Sequence, residues 1–314
     1  MTEPGGDADD VFGEPVADAA RVLGDRIDAD PSAIESALRT LSEDGAVTAE
    51  AVDDAVGDAS LALSTAEGRV EYAAVEVQSA RDTVADASDS EFLRARASEL
   101  ADRRRSLADE RDRLQSDLQA AVEKREDPAA LYDLARELQR LKTAADDLQG
   151  RADRLAAAAG DLAGFVEDPV LVLPDVEADA DALDTALAET ETALETLADG
   201  PSDAAVEDPE AAWFETWTDH RFRRLAIADI GAEIDALDAL HDDEEVRTLA
   251  DRHADLVDRW QRIDDRLVED VPGDWVAENE GRMEAVADAV EEYEPPIDWG
   301  AVEARRGEFV GGDP

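Results

Sequence analysis

The chain has 314 residues, no cysteine, 44% apolar but only 4% aromatic residues, and a formal net charge of −52 from 30 basic and 82 acidic side chains. Without cysteine, disulfides, thiolate chemistry and Cys-based zinc sites are excluded, and a surface this negative opposes a nucleic-acid partner. Lys124 and Lys142 are the only lysines, every other basic residue being arginine; acidic excess with scarce lysine fits a protein bathed in molar salt, where the Debye length falls to about 3 Å and like charges stop sensing one another.

Residues 1–10 read as a disordered acidic tail. Met-Thr-Glu-Pro-Gly-Gly-Asp has no apolar stretch behind it, so no secretory signal is expected. The longest apolar runs fall far short of the ~20 residues that a membrane helix needs, so no membrane span and a cytoplasmic location are expected.

Residues 11–47 form a short helical leader. Val16, Ala20, Leu23 and Ile27 mark one helix, and Ile34, Leu38 and Leu41 a second, with Asp30 as N-cap and Pro31 at the first helical position. Glu43-Asp44-Gly45 is expected to end that helix, and Thr48 to cap the next. A helix-turn-helix of this size can bind DNA, but three arginines among many carboxylates favour a cap on the following bundle.

A long antiparallel helical bundle is expected over 48–198. Apolar residues recur in steps of three and four from Val52 to Ala87, from Leu93 to Ala121, and from Leu131 to Val166. That period is the seam of a coiled coil. Ser88-Asp-Ser-Glu91 reads as a capping box at the first reversal, and Pro128 ends any helix approaching from Arg125. Folding the chain back at these breaks sets Leu63 against Leu114 and Val70 against Leu107 in the first hairpin. In the second it sets Leu107 against Ala145 and Leu114 against Leu138. Each long helix of about 35–40 residues would span about 50–60 Å. A shorter helix carrying Val176, Ala180, Leu183, Leu187, Thr190, Leu194 and Leu197 is expected to pack back along this bundle.

Residues 199–208 are the clearest linker. Beyond them, 209–314 read as a compact helical domain whose core draws on all five tryptophans, Trp213, Trp217, Trp260, Trp275 and Trp299. Three helices are marked by Ile227 to Leu237, Leu249 to Leu267, and Met283 to Tyr293, after which Glu294-Pro-Pro breaks helix and Ile297 and Trp299 are pinned against it. The fold class is therefore all-α, an elongated antiparallel bundle followed by a smaller helical one.

Chemistry is sparse. No phosphate loop, dinucleotide fingerprint, nucleophile elbow or zincin motif occurs, so no catalytic residue, cofactor or metal site is expected. His220, His241 and His253 could meet on zinc, yet their places on a seam and near helix ends suit packing and capping. Asp179, Asp181 and Asp184 lack the glycine and distal glutamate of a calcium loop. Between Arg94 and Arg113 seven arginines meet five acids, and Arg104 and Arg111 fall on the seam, where their stems can cover alanines while their heads pair with carboxylates. Trp213 and Trp217 followed by Arg221, Arg223 and Arg224 make the one aromatic and basic cluster suited to a protein interface.

Asp127-Pro-Ala-Ala-Leu-Tyr at the hairpin tip, Asp208-Pro-Glu-Ala-Ala-Trp-Phe and Glu294-Pro-Pro-Ile-Asp-Trp-Gly together resemble the haloarchaeal proteins labelled halo transducer protein, over most of the chain. That resemblance implies kinship with chemotaxis and phototaxis transducers. Two functions are expected: a non-enzymatic coiled-coil adaptor binding a protein partner, or a soluble signalling component working by helix shifts. Homo-oligomerisation is compatible with both.

Overall fold

The computed structural model of the protein describes residues 11–27, 29–87, 89–198, 208–241, 243–270 and 275–310. The expected tail 1–10 lies outside the described residues, and so does the expected linker apart from Asp208. The described residues are all-α, with ten α-helices and one pair of two-residue strands. Contacts divide the chain into two units, Met1–Ala80 with Glu99–Gly160 and Arg81–Ser98 with Asp161–Pro314.

The first unit opens with α1 (Val16–Ile27) and α2 (Pro31–Leu38). Asp30 caps α2 as expected: its carboxylate accepts from the Ser32 N–H at 3.0 Å, and Pro31 occupies the first turn, where its missing N–H costs nothing. Leu41 sits in a 3-10 turn, Arg39–Leu41, instead of continuing the helix. Glu43-Asp44-Gly45 does more than end it. Strands β1 (Ser42–Glu43) and β2 (Ala46–Val47) pair antiparallel across Asp44 and Gly45, whose φ of 49° and 82° supply the two consecutive left-handed residues of a tight hairpin. Asp-Gly is the dipeptide that favours this turn. The Gly13 and Val16 N–H groups donate to the Val47 and Gly45 carbonyls at 2.7 and 3.0 Å, tying the entry of α1 to the hairpin.

Helices α3 (Ala49–Ala87), α4 (Glu91–Glu123) and α5 (Leu131–Glu167) carry the three seams. Thr48 caps α3, its hydroxyl accepting from the Ala51 N–H at 3.1 Å. Ser90 caps α4, accepting from Leu93 at 3.4 Å, whereas the expected cap Ser88 lies outside the described residues. Every α3 seam residue from Val52 to Ala80 and every α5 seam residue from Leu131 to Ala159 is buried. On the α4 seam Leu100, Leu107, Leu114 and Ala121 are buried, while Arg104 and Arg111 are half-buried. At about 1.5–3 kcal/mol for each leucine or valine removed from water, these seams are what hold the helices together.

Polar contacts beside the seams read out the register. Gln115 Nε2 donates to Glu67 at 2.6 Å, a contact that packs α4 back against α3 as the first hairpin expects. The second hairpin is displaced from expectation. Lys124 Nζ meets Glu137 at 2.7 Å and Arg151 Nη1 meets Glu110 at 2.5 Å, pairs whose residue numbers total 261 in both cases. Such flanking pairs seat Leu107 against Ala152 and Leu114 against Ala145, one heptad beyond the expected partners. Independent contacts between the parallel helices α3 and α5 agree. Lys142 reaches Asp58 at 3.2 Å and Gln149 reaches the Ala62 carbonyl at 3.5 Å, pairs which the unshifted register would hold about 14 and 18 Å out of line along the helices. The reversal is longer than expected: residues 124–126 form a turn, and Asp127 then caps a 3-10 turn over Pro128–Ala130 by accepting from Ala129 at 2.9 Å.

In the second unit α6 (Leu173–Ala198), α7 (Pro209–Leu240), α8 (Glu244–Glu269), α9 (Trp275–Glu291) and α10 (Trp299–Val310) join the ends of the three long helices. Helix α6, expected to lie along the long bundle, packs on α7 and α8. Arg259 explains part of this preference, spanning from α8 to Asp184 at 2.5 Å and Glu191 at 2.6 Å on α6, while Arg252 pairs with Asp181. Asp208 caps α7, accepting from Glu210 and Ala211 at 3.1 Å each, and Asp243 caps α8, accepting from Glu245 at 2.8 Å. Trp213, Trp217 and Trp275 are core residues, the latter two packed against Phe214; Trp260 is half-buried and Trp299 is 43% exposed. Helix α10 was not apparent in the apolar pattern, although Asp298 caps it through Gly300 and Ala301 at 3.1 and 3.2 Å.

Candidate functional site

One cavity in the second unit combines concavity with charge. It has a volume of about 270 Å³ and is lined by Asp179, Ala182, Leu183 and Ala186 of α6, by Arg223, Ala226, Asp229, Ile230 and Glu233 of α7, and by Trp299. Leu183 and Ile230 make an apolar floor because each belongs to a buried seam, and the alanines between them leave the space open. Asp229 and Glu233 stand four residues apart, on one face of α7.

Asp229 is the site's structural anchor. It is 9% exposed, and its two carboxylate oxygens accept from the Ile297 N–H at 3.1 Å and from Trp299 Nε1 at 3.3 Å. These bonds hold the chain after Glu294-Pro-Pro against α7 and place the Trp299 indole at the cavity's edge. Glu233 pairs with Arg96 at 2.8 Å, and the same guanidinium lies 4.9 Å from the centre of the Phe92 ring. Burial raises the Glu233 pKa, Arg96 pulls it back, and Asp229 and Asp179 push it up again. Burial also raises Asp179, reinforced by Asp175 and Asp229. Arg223 donates to Thr190, and burial draws its pKa below the ordinary arginine value. The site thus holds the half-buried Glu233, paired with Arg96, and the exposed Asp179, both raised in pKa, beside an apolar floor and an accessible indole. A cationic group entering it would favour the ionised form of both carboxyls.

Of the five residues expected at a protein interface, Trp213 and Trp217 are each 1% exposed and belong to the core. Arg221 lies over the Trp217 ring, 5.1 Å from its centre, with Asp264 at 3.3 Å. Arg223 lines the cavity and Arg224 is exposed. The stretch Trp213 to Arg224 therefore faces several directions at once, because a helix spreads neighbouring residues around its axis. The sequence does not bring together the cavity residues Asp179, Asp229, Glu233 and Trp299, or Arg96, which pairs with Glu233. One local signal existed: carboxylates at 229 and 233 interleaved with Ile227, Ile230 and Ile234, an acidic pair set into an apolar seam.

The histidines lie apart. His220 Nε2 bonds the Trp260 carbonyl at 3.1 Å, His253 Nε2 bonds the Ile227 carbonyl at 2.8 Å, and His241 ends α7 with Asp243 at 3.4 Å. No group of three or more metal-ligating side chains occurs among the described residues. In the arginine-rich stretch Arg96 reaches Glu233, while other heads turn to local oxygens: Arg103 to Glu99, Arg105 to Asp102, and Arg111 to Asp112 at 2.6 Å. No described helix is long and apolar enough to cross a membrane. No family model, curated protein or solved structure matches the chain.

Proposed function

We propose that the chain is a non-catalytic helical adaptor, a cytoplasmic protein of a halophile, which binds a protein partner by receiving a basic side chain in the cavity between α6, α7 and Trp299. The cavity carries this reading: an apolar floor suits the methylene stem of an arginine or lysine, and Asp179 and Glu233 suit its head. Replacing Ala182 by phenylalanine tests it, because Ala182 is exposed at the cavity's mouth and a ring there closes the entrance without entering the core. Partners captured from native cells in molar salt by the unchanged chain should be lost with Ala182→Phe and weakened with Glu233→Gln. Undiminished capture by both variants rejects the cavity as the binding site. A chemotaxis kinase in the captured material would favour the signalling role implied by the transducer resemblance.

A further inference from the structure

The outer face of α3 breaks the pattern of the molecule. Opposite its buried seam, Leu61, Thr65, Gly68, Tyr72, Val75 and Ser79 repeat in steps of four and three, all exposed and none charged. Leu61, Tyr72 and Val75 are 69%, 52% and 65% exposed. The stripe runs about 27 Å along the helix. It is bounded by Asp54 and Asp58 before it and Asp82 and Asp86 after it, so it is a delimited second seam on a chain of charge −52. Thr65 turns its hydroxyl back to the Leu61 carbonyl at 2.9 Å, which leaves its methyl group outward. Gly68 has no atom within 4 Å of where a Cβ would lie, so nothing within the chain requires a glycine at this mid-helix position.

We propose that this stripe is a homodimer interface, on which α3 of a second copy of the chain lies antiparallel. Self-complementarity identifies the occupant. Turned end for end about its midpoint, the stripe sets Tyr72 over Gly68 of the second copy, Val75 against Thr65, and Leu61 against Ser79. Each pair joins a larger residue to a smaller one, and the glycine becomes the notch that admits the tyrosine ring. The flanking charges agree with this direction. Arg69 comes within reach of Glu76 of the second copy, twice by symmetry, against one Glu71–Glu71 and one Arg69–Arg69 encounter beside the axis. A parallel pair would set Glu71 against Glu76 twice and stack tyrosine on tyrosine. Arg69 already forms an exposed ion pair with Asp153 at 3.6 Å, a length at which its guanidinium can also serve a second carboxylate. Asp58 and Asp82 meet at the ends of the pairing, so the dimer should tighten with salt.

The full chain in molar potassium chloride should sediment at tens of micromolar with twice the monomer mass. Gly68→Gln adds a helix-favouring side chain into open space, so its far-ultraviolet circular dichroism should stay unchanged while the protein becomes monomeric. Because the chain has no cysteine, Thr65→Cys and Val75→Cys each introduce a single thiol. Oxidation should crosslink a mixture of the two variants and neither variant alone. Any of three results overturns the proposal: a monomeric unchanged chain, a Gly68→Gln variant that remains dimeric, or Thr65→Cys crosslinking to itself, as a parallel pair would.

Discussion

His220 shows what burial does to a single titratable group. Its ring lies 4.9 Å from the Trp260 indole and nearly parallel to it at 9°, and its residue is 0% exposed. Burial is the largest cause of its pKa falling to about 3, Arg223 and Arg221 add to the fall, and only the bond to the Trp260 carbonyl opposes it. Asp264, 3.9 Å away, is itself pushed towards its neutral form by burial. The folded chain therefore keeps His220 neutral down to about pH 3, whereas the unfolded chain takes up the proton near pH 6.5. Within that window the unfolded state binds the extra proton, so stability is full above it and declines as the pH drops, by up to about 1.4 kcal/mol per pH unit. Denaturant unfolding at pH 7, 5 and 4, followed by tryptophan fluorescence, should show a steeper acid loss for the unchanged chain than for His220→Phe. Carboxylate titration is common to both and cancels in the comparison. Equal slopes would clear His220 of the effect.

Among elements, the paired helices α4 and α5 carry the sharpest expectation. With Lys124 on Glu137 and Arg151 on Glu110, cysteines at Leu107 and Ala152 should form an intramolecular disulfide, and cysteines at Leu107 and Ala145 should not. The reverse outcome would restore the unshifted register. The seams themselves were legible, since the three-four spacing of leucine, valine and alanine dictates both helix and buried face. The register of α4 on α5 was not, because strict heptads look alike after a slip of seven and only the turn at Asp127 chooses among them. The first hairpin was better determined, its break at residues 88–90 being short. Helix α10 escaped notice because a single buried valine, Val302, gives it no period. The cavity was the least legible feature, since Asp179, Asp229 and Trp299 come from three separate stretches of sequence. The cluster from Trp213 to Arg224 is local in sequence and so more visible there, but its indoles fill the core.

At the scale of the whole molecule charge dominates. The −52 is spread along the chain, and of the cations that offset it many are already committed to bridging helices, as Arg259 is to Asp184 and Glu191 and Arg306 is to Asp219 at 2.7 and 2.9 Å. Little cation is left to screen the remaining carboxylates, so that task falls to the solvent. Transfer from molar to ~0.1 M monovalent salt lengthens the Debye length from about 3 to about 10 Å. Helicity followed by circular dichroism should fall over that range. A melting temperature indifferent to salt would remove the halophile reading.

The placement of the aromatic residues has an optical consequence. All five tryptophans belong to the second unit, while the first holds Tyr72 and Tyr132 and no tryptophan. Light absorbed at 295 nm therefore excites the second unit alone, so emission after such excitation records the unfolding of that unit without any contribution from the first. Backbone circular dichroism, by contrast, sums both. Any denaturant at which the two signals part company marks a state in which one unit has lost its structure and the other has kept it. The chain thus carries a native spectroscopic label for one half of itself, with no dye to attach.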